Sequence, residues 1–198
     1  MLIRHLIPLS ASMLLAFVLT GCGTTPPAQF YHLEPMELNA GRETAETKLL
    51  GVGPLHFPKY LDRPQIVTRT NSAQMSIDDY SRWAEPLNEA TPRIIAANLS
   101  GLTDSVSAIG HGHYNFLAFD YRLVGNVLQF DADSRGRVQL VVQWWLQDTD
   151  GNSVIPRTTG RYQGEAEDPG RVSSVVEAMN GVLLAFSEDI AGVLEEQL

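Results

Sequence analysis

The sequence predicts a single α+β domain. In it, a mainly antiparallel or mixed sheet is packed on one face by a mid-chain helix and a long C-terminal amphipathic helix. Residues 138–146 alternate between apolar and polar side chains, which is the period of a half-buried strand. Apolar side chains keep helical spacing from Val172 to Leu194. Hydrophobic residues make up 44% of the chain and charged residues 19%, a globular composition that lets residues 29–198 form one core.

Short β-prone segments precede the mid-chain helix. Residues 29–33 predict a first strand, and residues 49–55 predict a short buried strand. Pro54 indicates that the ladder of this second strand stops there or reaches a sheet edge. Residues 65–69 and 74–78 predict the two arms of a hairpin.

The mid-chain helix is expected over residues 87–102, after Pro86. Its apolar residues form two adjacent stripes at the helical period: Leu87, Ala90 and Ile94, and then Ile95, Leu99 and Leu102. Pro92 lies inside this segment and leaves two geometries open. Either Thr91 and Pro92 start the helix anew as N-cap and first-turn proline, or Pro92 kinks it.

The second half of the chain predicts an antiparallel meander. A strand is expected over residues 106–109, and residues 117–127 alternate as a half-buried strand with a bulge at Gly125. A turn over residues 131–136 then leads into the alternating strand at 138–146.

A return strand completes this meander before the last helix. Asp150-Gly151 indicates a hairpin turn, and residues 153–164 form the return strand. Pro156 places that strand at an edge or at a bulge. Asp168 and Pro169 predict the N-cap and first residue of the C-terminal helix. The polar face of that helix is expected to carry Ser173, Ser174, Glu177, Asn180, Ser187, Glu188 and Glu195.

Residues 1–21 are typical of a cleaved signal peptide. Arg4 supplies a positive charge before an apolar run over residues 6–19, and small residues follow. The run is too short for a spanning helix, which needs about 20 apolar residues. The alternatives are a secreted protein with a chance cysteine at this junction and an uncleaved helical anchor.

The sequence Leu19-Thr20-Gly21-Cys22 resembles the lipobox of bacterial lipoproteins. The resemblance implies cleavage before Cys22, a diacylglyceryl thioether on its sulfur and an acyl chain on the new amino terminus. More than one chain makes a stable anchor, and no other cofactor is expected. Residues 22–28 are then a lipidated tether, and residues 29–198 form the periplasmic domain. Because Cys22 is the only cysteine, the domain folds without an internal disulfide.

The charge balance excludes some classes of partner. The chain has 14 basic and 23 acidic side chains, and removing residues 1–21 takes away Arg4 alone, which leaves 13 − 23 = −10. Nucleic acid needs a basic face for its phosphates, and anionic lipid attracts polybasic patches. An acidic chain is therefore expected to bind neither through charge, and to attach to a membrane through its lipid.

Two unusual segments carry a family resemblance. Residues 58–69 read Pro-Lys-Tyr-Leu-Asp-Arg-Pro-Gln-Ile-Val-Thr-Arg, and residues 82–87 read Arg-Trp-Ala-Glu-Pro-Leu. In this order behind a lipobox, they closely resemble the ABC-type transport auxiliary lipoproteins of the paraquat-inducible protein C type. The resemblance covers most of the mature chain, from Tyr31 to the last helix.

The resemblance implies a non-enzymatic component of a system that moves lipids between membranes. Gly23, where inner-membrane lipoproteins tend to have Asp, implies the outer membrane, facing the periplasm. The implied partner is a mammalian-cell-entry (MCE) domain protein anchored in the inner membrane, with an ABC ATPase driving some such systems. A homo-oligomeric ring around the partner's far end is a further expectation. The motif residues that are candidates for the partner interface are Pro58, Tyr60, Asp62, Arg63, Arg82, Trp83 and Glu85.

Trp145 is a further candidate for a partner contact. Trp144 shares the apolar face of its strand and is expected in the core, whereas Trp145 points the other way among glutamines. An aromatic side chain on the second face of a sheet is covered either by a helix or by a partner.

The sequence gives little support to a catalytic or a metal-binding function. His111 and His113 form the one metal-like cluster, and they lack the further ligands of a structural zinc site. Asp62 and Glu85 resemble a glycosidase carboxylate pair, but Arg63 and Arg82 lie near them, and ion pairs that fix the loop to the helix start are the expectation. The motifs of nucleophilic hydrolases and nucleotide-binding loops are absent. The rival hypotheses are an envelope-tethered hydrolase and a structural lipoprotein.

Overall fold

The computed structural model of the protein describes residues 26–36, 47–110 and 117–197. Within these ranges the chain forms eight strands and two helices, which confirms the predicted single α+β domain. The strands are β1 (Gln29–Tyr31), β2 (Lys48–His56), β3 (Gln65–Arg69), β4 (Met75–Trp83), β5 (Val106–Gly110), β6 (Tyr121–Asp133), β7 (Arg137–Asp148) and β8 (Ser153–Glu165). The helices are α1 (Leu87–Leu102) and α2 (Val172–Gln197).

The eight strands form one mixed sheet with β6 at its centre. Along one edge, β6 pairs antiparallel with β7, which pairs antiparallel with β8. Along its other edge, β6 pairs first with β2 and then, at Ala132 and Asp133, with β3, both in parallel. The order continues from β3 through antiparallel β4 to parallel β1, while β5 lies parallel to β2. The predicted meander is thus confirmed as β6, β7 and β8.

The hairpin between β7 and β8 forms where the sequence predicts it. Asp148 accepts hydrogen bonds from the backbone N–H groups of Asp150 and Asn152, and Gly151 adopts φ of 84°. Only glycine takes that conformation without steric cost. Pro156 lies in edge strand β8 beside a shift of register between Trp144 and Leu146 of β7, as predicted for a proline at an edge or a bulge.

The predicted bulge at Gly125 is wrong in position. On the β7 side the register shifts between Val127 and Gln129, so the extra residue is Leu128, whose side chain is exposed. Gly125 serves another purpose, because a Cβ there would lie 2.4 Å from the carbonyl oxygen of Gln143. Strand β6 also begins later than predicted, at Tyr121 rather than at residue 117.

Pro54 lies at an irregularity of β2 rather than at its end. The strand runs on to His56, but its pairing with β5 ends at Val52, and its register with β6 shifts between Val52 and Leu55. The missing N–H of the proline therefore falls where the ladder is interrupted.

Helix α1 is continuous from Leu87 through Pro92 to Leu102, so of the two geometries left open by the sequence, the restart at Thr91 does not occur. Pro92 is the sixth residue of the helix, and it removes the hydrogen bond that the Asn88 carbonyl would accept. Burial offsets this loss, since Pro92 and its neighbours Ala90 and Thr91 are buried against the fold.

Helix α2 begins three residues later than predicted, at Val172 rather than at Pro169. Asp168 does not cap it. Its carboxylate instead accepts the N–H of Gly170 in a local turn, while its own N–H donates to the Ser174 hydroxyl. Ser174 and Ser187, expected on the polar face, are buried. The Ser187 hydroxyl donates to the Leu183 carbonyl and accepts a hydrogen bond from Asn98 of α1, which fixes the contact between the two helices.

The core lies between one face of the sheet and the two helices. Trp144 of β7 faces the helices, as predicted, and its ring meets the Phe186 ring of α2 edge-on at 6.4 Å. The largest fully buried side chains besides these are Phe130, Leu33, Leu50, Ile94, Ile95, Leu99, Leu123, Leu140, Leu146 and Leu183. The opposite face of β6, β7 and β8 carries polar side chains, Trp145 and two buried valines, Val124 and Val141.

Candidate functional site

The two motif segments meet at one pocket of about 310 Å³. Strand β3 starts at Gln65 and pairs with β4 at Arg82, and the Trp83 N–H donates to the Pro64 carbonyl at 2.7 Å. These contacts place the start of residues 82–87 against the middle of residues 58–69, and Pro86 then leads directly into α1. The pocket is lined by Leu61, Asp62, Arg63, Pro64, Trp83, Ala84, Glu85, Pro86, Leu87 and Asn88.

Tyr60 fixes the first motif segment to the sheet. Its hydroxyl donates to Asp131 of β6 at 2.7 Å, and the Arg69 guanidinium donates to the same carboxylate through Nε and Nη2. The Gln129 amide also donates to it. The Asp131 side chain is 1% exposed, so a charge buried in the sheet is matched by three donor side chains. This cluster holds Tyr60, and with it the loop that lines the pocket.

The position of Asp131 corrects the predicted turn, and the sequence did not predict the partners of its side chain. Residues 131–136 were predicted to turn, whereas Asp131 lies within β6 and the turn follows Asp133. An acid between the apolar residues Phe130 and Ala132 was the signal in the sequence. Its partners lie 71 and 62 residues away, which spacing along the chain does not reveal.

The alkaline pH dependence of stability follows from two tyrosines. Burial and the hydrogen bond to Asp131 raise the pKa of Tyr60, and burial and the hydrogen bond to Asp189 raise the pKa of Tyr162, both above the ordinary value of about 10. Above that pH the unfolded chain loses these protons and the folded chain keeps them. The contribution of these two tyrosines to the free energy of unfolding should therefore be constant below about pH 10 and fall as the pH rises further.

Urea unfolding at a series of alkaline pH values measures this fall, with tyrosinate absorbance followed in the folded chain. Tyr60→Phe and Tyr162→Phe should each reduce the slope. A slope that neither variant changes would show that other groups are responsible.

The predicted ion pairs of the two acidic motif residues are wrong in their partners. Asp62 pairs with Lys59, one turn earlier, at 2.9 Å, and Glu85 pairs with Arg93 of α1. The second pair does tie the segment before α1 to the helix, as expected of a structural role. Each carboxylate thus already has a cation as its partner within the fold.

The remaining motif residues differ in their surroundings. The Pro58 carbonyl accepts the Leu61 N–H in a tight turn, and the Arg82 guanidinium donates to the Asp79 carbonyl. Trp83 is buried in the wall of the pocket. The Arg63 Nε–H is buried without a hydrogen-bond acceptor in the described part of the chain.

Trp145 is partly covered by its own chain. The Arg157 guanidinium lies 4.7 Å from the centre of its ring, close enough for a cation–π contact. The irregularity at Pro156 places Arg157 there. Both helices pack on the Trp144 face, so the predicted alternative of a covering helix is excluded for residues 26–36, 47–110 and 117–197. The ring remains half-buried.

Metal binding and membrane spanning find no support in the part of the chain that the structure describes. No group of three potential ligands comes together among those residues. Over the same ranges, neither helix has the length and hydropathy to cross a bilayer. His111, His113 and the lipidation candidate Cys22 lie outside the described residues.

Comparisons with known proteins support one family. A family model described as the ABC-type transport auxiliary lipoprotein component matches residues 31–191. Among solved structures, the fold is similar to a crystal structure of a protein described as uncharacterized, with a TM-score of 0.71 and 20% identity over 85% of this chain and 99% of that chain. It is also similar to a DUF330-family protein of Xanthomonas campestris, with a TM-score of 0.64 and 16% identity over 85% and 98% of the two chains. At these identities the structures share the fold. No curated protein sequence matches the chain significantly.

Proposed function

The chain belongs to the family of ABC-type transport auxiliary lipoproteins, and from that premise we propose that it is a non-enzymatic, outer-membrane-anchored component of an intermembrane lipid transporter. In this proposal it docks the periplasmic end of an MCE-domain protein. The observation that carries the proposal is the family match over residues 31–191, which runs from β1 into α2 and so covers the domain rather than one motif.

A lipid anchor on Cys22, joined to the domain by a short tether, would suit a docking role. A lipid on Cys22 would hold the domain at the membrane surface, because only residues 23–28 separate it from β1. Confinement of this kind raises the effective concentration of the domain near a partner that reaches the same membrane. Each protein contact can then be weak, and a ring of copies around the partner's end would multiply such contacts.

The occupied carboxylates favour docking over hydrolysis. Asp62 and Glu85 each form an ion pair, and Asp131 is shared among three donors. A glycosidase needs one carboxylic acid with a raised pKa beside one free carboxylate. The pocket formed by the two motif segments is therefore a binding surface in this proposal.

Fractionation and crosslinking of the full chain in a Gram-negative host test the proposal. A photoreactive residue replaces Lys59, whose side chain is 93% exposed beside the pocket, or Trp145. The wild-type chain should fractionate with the outer membrane and crosslink to an MCE-domain protein, and Cys22→Ser should lose both. Inner-membrane fractionation, or a bare Cys22 thiol by mass spectrometry, would contradict the anchor. Outer-membrane fractionation without capture of an MCE-domain protein would support a structural lipoprotein instead.

A further inference from the structure

The pocket between the motif segments is lined by a cation, Arg63, one of whose donors has no acceptor among the described residues. This donor is the Nε–H, which is excluded from solvent. A buried donor that is left without an acceptor is costly, and more so when it belongs to a charged group. The Nε–H is closed to solvent in this conformation, but Arg63 as a residue is only partly buried and lines the pocket, so an anionic ligand there can pair with its guanidinium.

The other charged groups of the pocket are already paired, which leaves Arg63 to set its binding preference. Asp62 pairs with Lys59, and Glu85 pairs with Arg93. The start of α1 adds donors on the same side, since Pro86 holds the N-cap position without a side-chain cap and Leu87 and Asn88 line the pocket. The first N–H groups of a helix have no acceptor within the helix, and the helix dipole there attracts negative charge.

The larger cavity on the open face of the sheet lacks this feature. It has a volume of about 530 Å³ and contains two arginines, but Arg69 pairs with Asp131 and Arg137 pairs with Asp133. Both arginines therefore have carboxylate partners within the fold, and the described residues that line this cavity include no unpaired cation that would favour binding of an anion.

The acidic lining of the Arg63 pocket limits the charge of the ligand. A carboxylate carries one charge and matches the planar fork of a guanidinium, whereas a dianion such as a phosphate group is less favourable beside Asp62 and Glu85, although each of these is paired. Trp83, Leu61 and Leu87 provide buried apolar walls, so the favoured group is a carboxylate next to an apolar side chain.

The shape of the site favours an extended ligand. A second cavity of about 180 Å³ shares Leu61, Asp62 and Asn88 with the pocket, and it is lined further on by Phe57 and Lys59. Because they share three lining residues, the two cavities adjoin, and together they are called the groove below. A peptide offers a carboxylate, an apolar side chain and a backbone that can follow such a groove, whereas an acyl chain would meet a largely polar second cavity.

We propose that this groove binds a peptide carboxylate of the docked partner, with Arg63 as its ion-pair partner and Trp83 in the wall beside the neighbouring apolar side chain. This inference rests on the proposed function only in assigning the peptide to the docked partner. The carboxylate is the C-terminal one or that of an acidic side chain, and synthetic peptides distinguish the two.

The test uses the mature full chain in detergent micelles and the ¹⁵N–¹H signal of the Arg63 Nε–H. The probes are acetyl-Ala-Ala-Leu with a free carboxylate, its amide, and acetyl-Ala-Glu-Leu amide. The free-acid peptide should shift the Arg63 signal, and the simple amide should not. A shift with the Glu-containing amide would assign the acceptor to an acidic side chain.

Matched arginine variants show whether Arg63 is responsible. Arg63→Gln should weaken binding by about tenfold to a hundredfold, the effect of one hydrogen-bonded charge, and Arg63→Lys should lie between the two. Arg161→Gln, on exposed edge strand β8, is the control and should bind normally. Thermal unfolding identifies any variant that loses its fold.

Three outcomes would overturn the inference. They are binding of no peptide, equal binding of the acid and the simple amide, and unchanged binding by Arg63→Gln. A shift of the Arg63 signal with protein concentration alone would assign the groove to a second copy of this chain. Peptide binding without capture of an MCE-domain protein in cells would refute the proposed function and leave the carboxylate site standing, and the converse would refute the site alone.

Discussion

Replacing Asp131 with alanine is expected to lower the free energy of unfolding by about 3 kcal/mol. Removing one partner of a buried ion pair typically costs about 3–5 kcal/mol, because the other charge is left uncompensated. The lower end applies here, since the Arg69 side chain keeps 25% of its surface exposed and water can reach it. Tyr60 and Gln129 lose their acceptor as well. Urea unfolding at neutral pH measures the change.

Asp62→Ala is the matched control for Asp131→Ala. Asp62 also pairs with a cation, but Lys59 is 93% exposed and Asp62 is 51% exposed. Exposed pairs contribute little to stability, so this variant should unfold almost as the wild type does. Adding Arg69→Met to Asp131→Ala should recover part of the lost stability, because the unpaired cation is then gone. Equal losses from Asp131→Ala and Asp62→Ala would contradict a buried, shared charge.

Phe186→Ala is expected to lower the free energy of unfolding by about 4 kcal/mol. Truncating a buried phenylalanine costs about 3–5 kcal/mol through lost transfer energy and the cavity it leaves. Phe186 is 1% exposed, and its ring meets both Trp144 at 6.4 Å and Tyr162 at 5.3 Å. It therefore joins α2 to both β7 and β8. Thermal and urea unfolding of the variant measure the loss, and near-ultraviolet circular dichroism follows the neighbouring rings.

The same substitution at Phe30 should have almost no effect on stability. Phe30 lies in edge strand β1 and is 64% exposed, so alanine there leaves no cavity. If Phe30→Ala and Phe186→Ala destabilised the domain equally, the assignment of α2 as the cover of the sheet would be wrong.

Local sequence patterns correctly predicted the strand and the helix whose apolar residues recur at a regular strand or helix period. The alternation around Trp144 and the helical spacing after Val172 appear in the structure as β7 and α2, since each pattern buries one face against the rest of the domain. The predicted boundary of a helix was wrong where local hydrogen bonds of the expected N-cap residue formed a turn instead. Asp168 satisfies the Gly170 N–H and its own N–H meets Ser174, which ends the turn later than a simple N-cap would.

The choice of ion-pair partners and the meeting of distant segments could not be predicted from local patterns. Asp62 and Glu85 have arginines beside them in sequence, yet Lys59 and Arg93 are their partners, because a strand at Arg82 and a helix at Arg93 point those side chains differently. The convergence of residues 58–69 and 82–87 on one pocket depends on the pairing of β3 with β4. The family resemblance singled out both segments, but the unpaired Nε–H of Arg63 became visible only in the folded chain.

The short parallel pairing of β1 with β4 has a mechanical consequence. Any tension carried along the amino-terminal tether reaches Gln29–Tyr31 before the rest of the fold, and three ladder positions hold that strand to its neighbour. Such a strand can peel away under load while β6, clamped along both edges, stays in place. Tension on the tether would thus release the few residues of β1 and lengthen the tether before it unfolded the rest of the domain.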